Sequence, residues 1–161
     1  MQKTLIFVVA AGLFIGLAWP SGRSTSPAAP AVSSTPGTSA DEPRETVLER
    51  TDGGHFYANV EVNGELVHFL VDTGATGVAL TERDAERLGL EFDRGNYEQV
   101  GVGASGPVRG KFVTLDKVSL DGKAAHNVEG AILEGSDVSL LGQNYLGLFS
   151  VEMRGDTMRI Y

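Results

Sequence analysis

A single carboxylate stands between two apolar runs in the stretch HFLVDTGATGVAL, residues 68–80. The first run is typical of a buried strand, and Asp72 lies where that strand ends. A buried carboxylate without a partner destabilises a fold, so the structure must either expose Asp72 or bring a partner to it. Because Asp, Thr and Gly all favour turns, this sequence also predicts a turn at the strand end.

The segment before Asp72 predicts a β-hairpin. The apolar residues of HFYANVEV, residues 55–62, alternate and would share one face of a strand: Phe56, Ala58, Val60 and Val62. Asn63-Gly64 follows, and this dipeptide favours a type I′ turn, in which both central residues have positive φ. Residues 65–72, ELVHFLVD, form the return strand, so Asp72 lies at the far end of the second arm.

The remaining C-terminal sequence is rich in short strands. One helix is marked by Thr81 as its N-cap and Gly89 as its closing residue, and Ala85 and Leu88 would face the core. Further elements follow in order: two strands joined by a Gly-rich bend (97–120), a turn at Asp121-Gly122, a strand (126–133), a strand running into a helical turn (139–149) and a final hairpin (149–161). This pattern predicts an all-β fold, a small closed β-barrel, with a sandwich as the alternative.

The N-terminus predicts a targeting segment followed by a tether. Residues 1–19 contain one early positive charge and then sixteen residues without a charge, TLIFVVAAGLFIGLAW. As a helix this run would span roughly 24 Å, shorter than the roughly 30 Å hydrocarbon core of a bilayer. A signal peptide, with a small-x-small site at Gly16-Leu17-Ala18, and an uncleaved membrane anchor both stay open. Residues 20–43, rich in Pro, Ser, Thr and Ala, predict a flexible tether, and residues 44–161 a single domain.

A signal peptide and an uncleaved anchor would both export the domain. A tether is most useful when its upstream end stays attached, which favours a domain held on the periplasmic side of the inner membrane; a cleaved, secreted form is the alternative. The formal net charge of −8 leaves no basic excess for phosphates, so nucleic-acid binding is not expected. Cysteine is absent, which excludes disulfides and cysteine nucleophiles, and His55, His68 and His126 lack the spacing of metal ligands.

About 65 residues after Asp72 comes SLLGQN, residues 139–144. VDTGAT together with this later LLGQN resembles the retropepsin-like aspartic proteases (clan AA). The likeness is greatest to their single-domain bacterial members, which carry an N-terminal membrane or export segment. It covers about residues 60–161, in the order strand, Asp-Thr-Gly loop, helix, Gly-rich flap, strand, Leu-Leu-Gly and terminal hairpin. The resemblance thus implies a retropepsin-like barrel with one short α-helix after the Asp-Thr-Gly loop and a short helical turn after Leu-Leu-Gly.

The resemblance implies roles for particular residues. Asp72 would be the catalytic aspartate, and Thr73 would hydrogen-bond to the matching loop of a partner chain. Gly74 would let the substrate backbone approach where a Cβ would block it. The other residues that form or support the loop would be Ala75, Thr76, Leu140, Leu141 and Gly142. The substrate-binding flap would be Gly101, Val102, Gly103, Ala104, Ser105 and Gly106.

Two positions depart from the viral members of the family. Where those members commonly carry an Asp and an Arg as an ion pair, this chain has Thr76 and Gln143. Either a hydrogen bond between Thr76 and Gln143 substitutes for the ion pair or this support is absent. The stretch MRIY, residues 158–161, is a candidate for pairing with a partner chain.

Aspartic protease chemistry requires two carboxylates, and this sequence contains a single Asp-Thr-Gly. One carboxylate acts as general base on a water molecule, and the other, protonated, polarises the scissile carbonyl. One copy therefore implies a symmetric homodimer, which would cleave extended polypeptides, here other envelope proteins, without metal or cofactor. The alternatives are an inactive retropepsin-like domain that binds peptides or dimerises, and an unrelated β-barrel binding module.

Overall fold

A computed structural model describes residues 42–161 and, before them, the backbone of Val8–Val9. Its strands are β1 (Val8–Val9), β2 (Thr46–Glu49), β3 (Tyr57–Val62), β4 (Glu65–Val71), β5 (Val78–Thr81), β6 (Glu98–Gly103), β7 (Gly106–Leu120), β8 (Lys123–Leu133), β9 (Ser139–Leu141), β10 (Val151–Arg154) and β11 (Thr157–Ile160). Its helices are α1 (Glu82–Arg87), a 3-10 turn (Arg94–Asn96) and α2 (Gln143–Leu146).

The predicted targeting segment, residues 1–19, lies outside the described residues apart from the backbone of Val8–Val9. The predicted tether, residues 20–43, is described only for its last two residues, Glu42 and Pro43. In the part of the chain that is described, no helix has the length and apolar character needed to cross a membrane.

Six strands form a closed barrel. Around the ring their order is β7, β3, β4, β9, β5 and β8, and the long antiparallel pairing of β7 with β8 closes it. The predicted all-β closed barrel is therefore confirmed, and the alternative of a sandwich is not the fold. Strand β6 lies outside the ring and pairs with the first part of β7, while β1 pairs in parallel with β6.

The first hairpin of the barrel forms as its sequence predicts. Strands β3 and β4 pair antiparallel from Tyr57 opposite Leu70 to Val62 opposite Glu65. Asn63 and Gly64 both have positive φ, at 51° and 91°, as a type I′ turn requires. The alternating apolar residues of the first arm are all buried in the barrel interior: Phe56, Ala58, Val60 and Val62.

Helix α1 also follows its sequence signals. The Thr81 side chain accepts a hydrogen bond from the backbone N–H of Asp84, which satisfies a donor at the helix start. Gly89 has a φ of +68° just after the last turn, where a residue with a Cβ would be strained. Ala85 is fully buried and Leu88 packs against the core, so both predicted contacts are present.

Strand β8 begins three residues before its predicted start, because the turn at Asp121-Gly122 directly joins Leu120 to Lys123. Lys123 is only 1% exposed, although lysine is rarely buried. Its ammonium donates hydrogen bonds to the carbonyl of Arg44 and to Thr46 Oγ1. Burial lowers the pKa of Lys123, and the nearby Asp121 carboxylate opposes that shift. These bonds fasten the start of the domain to the barrel.

A second sheet of three strands packs beside the barrel. Its order is β10, β11 and β2, so β11 is the central strand and pairs with a neighbour on each side. The stretch MRIY, residues 158–161, belongs mainly to β11, and the strand edges that it would offer to a partner are already occupied by the same chain. Residues 158–160 therefore do not offer a free strand edge to a partner chain, and among the described residues the open edges of this sheet are those of β2 and β10.

Candidate active site

Asp72 lies at the point where β4 leaves the barrel. Its backbone N–H donates to the carbonyl of Leu141 at 3.1 Å, which continues the ladder between β4 and β9 by one residue. The residue is partly exposed, and Thr73 and Gly74 beyond it are exposed. The carboxylate is thus presented at a surface rather than buried within the apolar core.

A tight turn fixes one oxygen of this carboxylate. The N–H of Gly74 donates to Asp72 Oδ1 at 2.8 Å, and the N–H of Ala75 donates to the carbonyl of Asp72 at 3.2 Å. This is the turn that Asp followed by Thr and Gly favours, with the side chain replacing a main-chain acceptor. The turn therefore orients Asp72 without help from another side chain.

Strand β9 supports the Asp72 loop from below. It inserts between β4 and β5, which are the two strands that the loop connects, with Leu140 opposite both Leu70 and Ala79. Leu141 lies beside Val71 at the end of β4. Both leucines are buried, so a packed apolar strand holds the two ends of the loop at a fixed separation.

Gly142 is required by the close approach of the loop. A Cβ at this position would lie 2.2 Å from the carbonyl oxygen of Gly77 and 2.8 Å from that of Ala75. Real Cβ atoms do not come so close to backbone atoms, which cannot move aside as a flexible side chain can. The glycine of the Leu-Leu-Gly segment therefore has a structural cause, namely contact with the backbone of the Asp72 loop.

Two polar residues at the start of α2 hold the far side of the loop. The N–H groups of Gln143 and Asn144 donate to the carbonyls of Ala75 and Thr76, at 2.8 and 3.0 Å. The side chain of Gln143 donates to the carbonyl of Thr73 at 2.8 Å.

Gln143 therefore supports the loop through main-chain groups. The sequence left two alternatives open, a hydrogen bond between Thr76 and Gln143 or the absence of that support, and the contacts described here join Gln143 to the carbonyls of Thr73 and Ala75. Asn144 was not among the predicted site residues, yet its side chain accepts a hydrogen bond from the N–H of Val78 at 3.0 Å and donates to the carbonyl of Glu129. Its position directly after Leu-Leu-Gly-Gln was the available signal, but a lone Asn in a sequence does not reveal contacts 66 residues away.

The residues predicted as a flap lie at the tip of the β6–β7 hairpin. Gly103 pairs with Gly106, and Ala104 and Ser105 form the connecting turn. Gly106 has a φ of +116°, which favours glycine. Val102, next to the tip, is 42% exposed, and a bulge lies at Val100 between the paired residues Gln99 and Gly101.

The root of this hairpin packs beside the Asp72 loop. A small apolar cluster, separate from the barrel interior, contains Ala75 of the loop, Val100 of β6 and Leu140 of β9. Val108 of β7 packs against the same cluster and is only partly buried, as are Leu70 and Val138. The hairpin, the loop and the supporting strand therefore share one apolar surface, part of which stays open to solvent beside Asp72.

Helix α1 is tied to the supporting strand by a buried polar network. Ser139, the first residue of β9, is 1% exposed and donates from Oγ to Asp84 Oδ2 at 2.6 Å. The same oxygen accepts from Thr81 Oγ1 at 2.9 Å, and Ser139 Oγ accepts from the N–H of Thr81 at 3.0 Å. Sequence patterns did not single out Ser139, because the residues that bind it lie 55 and 58 residues earlier.

Two tyrosines near the site have raised pKa values. Burial, followed by a hydrogen bond to the Glu82 carboxylate, raises the pKa of Tyr97 to about 12. The same hydrogen bond, with a smaller effect from Arg94, lowers the pKa of Glu82. Burial raises the pKa of Tyr145 in α2 to about 12, and its hydroxyl donates to the carbonyl of Lys123. The first contact joins α1 to the residue before β6, the second joins α2 to the start of β8, and both lie outside the Asp72 turn.

Residues 42–161 contain no group of three or more His, Asp or Glu side chains arranged to hold a metal ion. What the described site offers chemically is one partly exposed carboxylate on a hydrogen-bonded turn, in a loop that packs against an apolar cluster shared with the β6–β7 hairpin.

The sequence of this chain is similar to the sequences of several known proteins. The family described as "gag-polyprotein putative aspartyl protease" matches residues 58–147. An uncharacterised protein of Rickettsia prowazekii (strain Madrid E) is 36% identical over 106 residues, covering 65% of this chain and 46% of that protein. An uncharacterised protein encoded in the cobV 5′ region of Sinorhizobium sp. is 32% identical over 126 residues, covering 76% and 54%. The chain thus spans about half the length of the curated relatives it matches.

The fold of this chain is also similar to that of a solved structure. The crystal structure of a retropepsin-like aspartic protease from Rickettsia conorii matches with a TM-score of 0.62 and 34% identity, over 74% of this chain and 90% of that chain. The family match at residues 58–147 includes the Asp72 loop, the β6–β7 hairpin and the Leu140–Gly142 segment. The chain therefore belongs to the retropepsin-like (clan AA) family of aspartic proteases.

Proposed function

We propose that this protein is an aspartic endopeptidase that works as a homodimer, with one Asp72 from each chain. The observation that carries the proposal is the presentation of Asp72, partly exposed on a turn that is fixed by Gly74 and supported by β9 and α2. A loop held so firmly, yet open to solvent at the carboxylate, suits a group that must meet a second carboxylate. Membership of the aspartic protease family supports peptide-bond hydrolysis as the reaction. Because the sequence contains a single Asp-Thr-Gly, two chains are needed to bring two such aspartates together.

In the proposed dimer the two Asp72 carboxylates lie about 3 Å apart across the two-fold axis and share one proton. The ionised carboxylate takes a proton from a bound water as the water oxygen attacks the scissile carbonyl carbon. The protonated carboxyl donates a hydrogen bond to the carbonyl oxygen. Proton transfer to the peptide nitrogen then releases an amine and a carboxylic acid, and the pair regains its single shared proton.

The substrate would be a polypeptide bound in extended form. The flap hairpin, with its tip at residues 103–106, would close over it and contribute main-chain hydrogen bonds, as in strand addition. Apolar side chains of the substrate would pack on the partly buried surface of Leu70, Val108 and Val138. No metal or organic cofactor takes part in this mechanism.

The proposed location is the periplasmic side of the inner membrane, with residues 1–19 as anchor or signal peptide and residues 20–43 as tether. The proposed substrates are other envelope proteins, because these are the polypeptides that a tethered domain would meet. Confining two chains to one membrane raises their effective concentration and favours dimerisation. A version starting near Arg44 that dimerises and cleaves as well as the full chain does on membranes would contradict this part of the proposal.

Substitution of Asp72 by Asn tests the reaction class. We expect Asp72→Asn to abolish cleavage of a peptide library while the circular dichroism spectrum and unfolding midpoint stay close to those of the wild type. Asp52→Asn is the matched control, because it makes the same change of side chain at an exposed turn position outside the site. Retained cleavage in Asp72→Asn, or a wild type that binds peptides without cleaving them, would contradict the proposal.

A further inference from the structure

Helix α2 is a short turn that touches two different parts of the molecule. Gln143 and Asn144, at its start, are exposed or half-buried and bind the Asp72 loop, whereas Tyr145 and Leu146 are buried. A helix this short has no stability of its own in water. The orientation of α2, and with it the position of the groups that hold the loop, therefore depends on what its buried side chains contact.

The hydroxyl of Tyr145 is built into the end of the β7–β8 ladder. It accepts a hydrogen bond from the N–H of Leu120 at 3.0 Å and donates one to the carbonyl of Lys123. Leu120 and Lys123 lie opposite each other at the two ends of a two-residue turn, so these are groups that would otherwise bond each other. Tyr145 is 0% exposed, so bulk water cannot replace either partner.

Two hydrogen bonds with fixed directions set the orientation of α2 in a way that apolar contacts do not. Leu146 packs in the barrel interior, but an apolar side chain can be accommodated over a range of angles. The Tyr145 hydroxyl is held between a donor and an acceptor, and hydrogen bonds weaken steeply when they bend. A rotation of α2 would therefore break these bonds and would also move the N–H groups at its start away from the carbonyls of Ala75 and Thr76.

The β7–β8 turn is itself fixed by the segment that enters the domain, residues 44–46. The Asp121 carboxylate accepts a hydrogen bond from Thr46 Oγ1 at 2.6 Å, and the Asp121 carbonyl accepts from the N–H of Arg44 at 2.9 Å. The Lys123 ammonium donates to Thr46 Oγ1 at 2.9 Å and to the carbonyl of Arg44. Lys123 is 1% exposed, so its charge depends on these acceptors and on the nearby Asp121 carboxylate. The entry segment thus completes the polar surroundings of the residue whose carbonyl α2 binds.

We infer that Tyr145 is a positioning residue for the Asp72 loop, and that the entry segment acts on the loop through it. The connection runs from Thr46 to Lys123, from the carbonyl of Lys123 to the hydroxyl of Tyr145, and from α2 to the main chain of the loop. Seating of the entry segment on the β7–β8 turn thereby favours turnover, because it holds Asp72 in its working position. This inference rests on the proposed function and names what controls the geometry of the same site.

Hydrogen exchange in the full-length chain, purified in detergent, tests the connection without reference to activity. Tyr145→Phe keeps the ring and removes only the hydroxyl. We expect the N–H groups of Gln143 and Asn144 to exchange roughly tenfold faster in this variant, while those of β3 change less than twofold. Ile132→Val is the matched control, because it removes a buried methyl group at the end of β8 far from Lys123 and should not speed exchange selectively at α2. Equal acceleration at α2 and β3 in Tyr145→Phe would overturn the inference.

Steady-state kinetics tests whether the connection matters for turnover. At concentrations where variant and wild type have the same oligomeric state, Tyr145→Phe should lower kcat about fivefold and change KM less than twofold. The reason is that a displaced loop affects the reacting groups more than the substrate-binding surface. In a Gln143→Met background the same change should lower kcat less than twofold, since Gln143 and Tyr145 act through one helix. An unchanged kcat in Tyr145→Phe, or a full fivefold loss in both backgrounds, would overturn the inference.

Thr46→Val tests the part played by the entry segment. It removes the hydroxyl that binds both Asp121 and Lys123 while keeping the approximate size of the side chain. Thr157→Val is the matched control, because Thr157 lies in the same three-stranded sheet and its hydroxyl binds Glu49, at 3.5 Å. Thr46→Val should reproduce the faster exchange at α2 and the lower kcat, and Thr157→Val should do neither. The same result for the two variants would overturn the role of the entry segment.

The outcomes separate this inference from the proposed function. A wild type that cleaves peptides, with exchange at α2 unaffected by Tyr145→Phe, overturns the inference and leaves the protease intact. A wild type that cleaves no peptide, with exchange at α2 selectively faster in Tyr145→Phe, overturns the proposed function and supports the connection from the β7–β8 turn to the Asp72 loop.

Discussion

Gln143 donates a hydrogen bond from its side-chain amide to the main-chain carbonyl of Thr73 at 2.8 Å, across 70 residues of sequence. The contact joins α2 to the outer part of the loop that carries Asp72. Together with the N–H of Gln143, which donates to the carbonyl of Ala75, it fixes the loop from two directions. The loop is thus held through its main-chain carbonyls, so we expect another long donor side chain at position 143 to serve in the same way.

Loss of this donor should reduce turnover more than stability. In Gln143→Met the exposed side chain keeps its length but cannot donate, so the unfolding free energy should change by less than about 1 kcal/mol. A less firmly held loop should lower kcat about tenfold, because small displacements of reacting groups are costly. Gln143→Arg retains a donor and should keep most of the activity. Steady-state kinetics with denaturant unfolding checks both, and an unchanged kcat in Gln143→Met would contradict the assigned role.

Gly142 should not tolerate a methyl group. The added Cβ of Gly142→Ala would overlap the carbonyl oxygen of Gly77, so we expect a loss of about 2 kcal/mol or more in unfolding free energy, with loss of cleavage. Gly53→Ala is the control, since its Cβ would lie 3.6 Å from the nearest atom, a side-chain atom of His55. Urea unfolding of both variants measures the difference. Equal stability of the two would show that the loop does not approach Gly142 as closely as described.

The buried hydroxyl of Tyr145 should make the protein sensitive to alkali. Its pKa is raised from 10.0 to about 12 in the folded chain, so its contribution is complete below pH 10 and is lost as the pH rises towards 12. In Tyr145→Phe the protein should be less stable at pH 7, and its stability should fall less steeply above pH 10. Denaturant titrations from pH 8 to 11 check this, and parallel pH curves for the two proteins would contradict it.

Glu82 should make the stability of the protein depend on pH in the opposite sense, with a loss of stability in acid. Its pKa is lowered below 4.5 by the Tyr97 hydroxyl and by Arg94, so its contribution is present above pH 4.5 and disappears as the pH falls through the lowered value. Glu82→Gln should remove that part of the acid dependence. Thermal unfolding between pH 3 and pH 7 measures it. A variant that keeps the full acid dependence of the wild type would assign that dependence to other carboxylates.

The fold could be predicted where the determinants are local. The Asn63-Gly64 turn, the alternation of β3 and the capping residues of α1 act within a few positions, so each formed as predicted. The buried positions of Ser139 and Lys123 could not be predicted in this way. Their hydrogen-bond partners lie 55 to 79 residues away, and nothing in the neighbouring sequence marks them.

In the candidate site, too, features with local determinants could be predicted and features that depend on distant contacts could not. The turn at Asp72 and the position of the Leu140–Gly142 segment against it could be expected from short motifs, because the turn and the close approach each require particular residue types. The hydrogen bond from Gln143 to the carbonyl of Thr73 was not predicted, since a main-chain carbonyl leaves no trace in the sequence. The three-stranded sheet was also missed: a terminal hairpin was predicted, but its pairing with β2 follows from tertiary contacts across more than 100 residues.

The proposed mechanism needs Asp72 from two chains in one site, and the activity of mixed dimers tests this requirement. Wild-type chains are mixed with increasing amounts of Asp72→Asn chains under conditions that allow subunit exchange, and cleavage is measured per wild-type chain. If mixed dimers are inactive, this activity falls to about one half in an equal mixture and to about one quarter with a threefold excess of the variant. Activity per wild-type chain that stays constant at every ratio, while mixed dimers are shown to form, would contradict the claim.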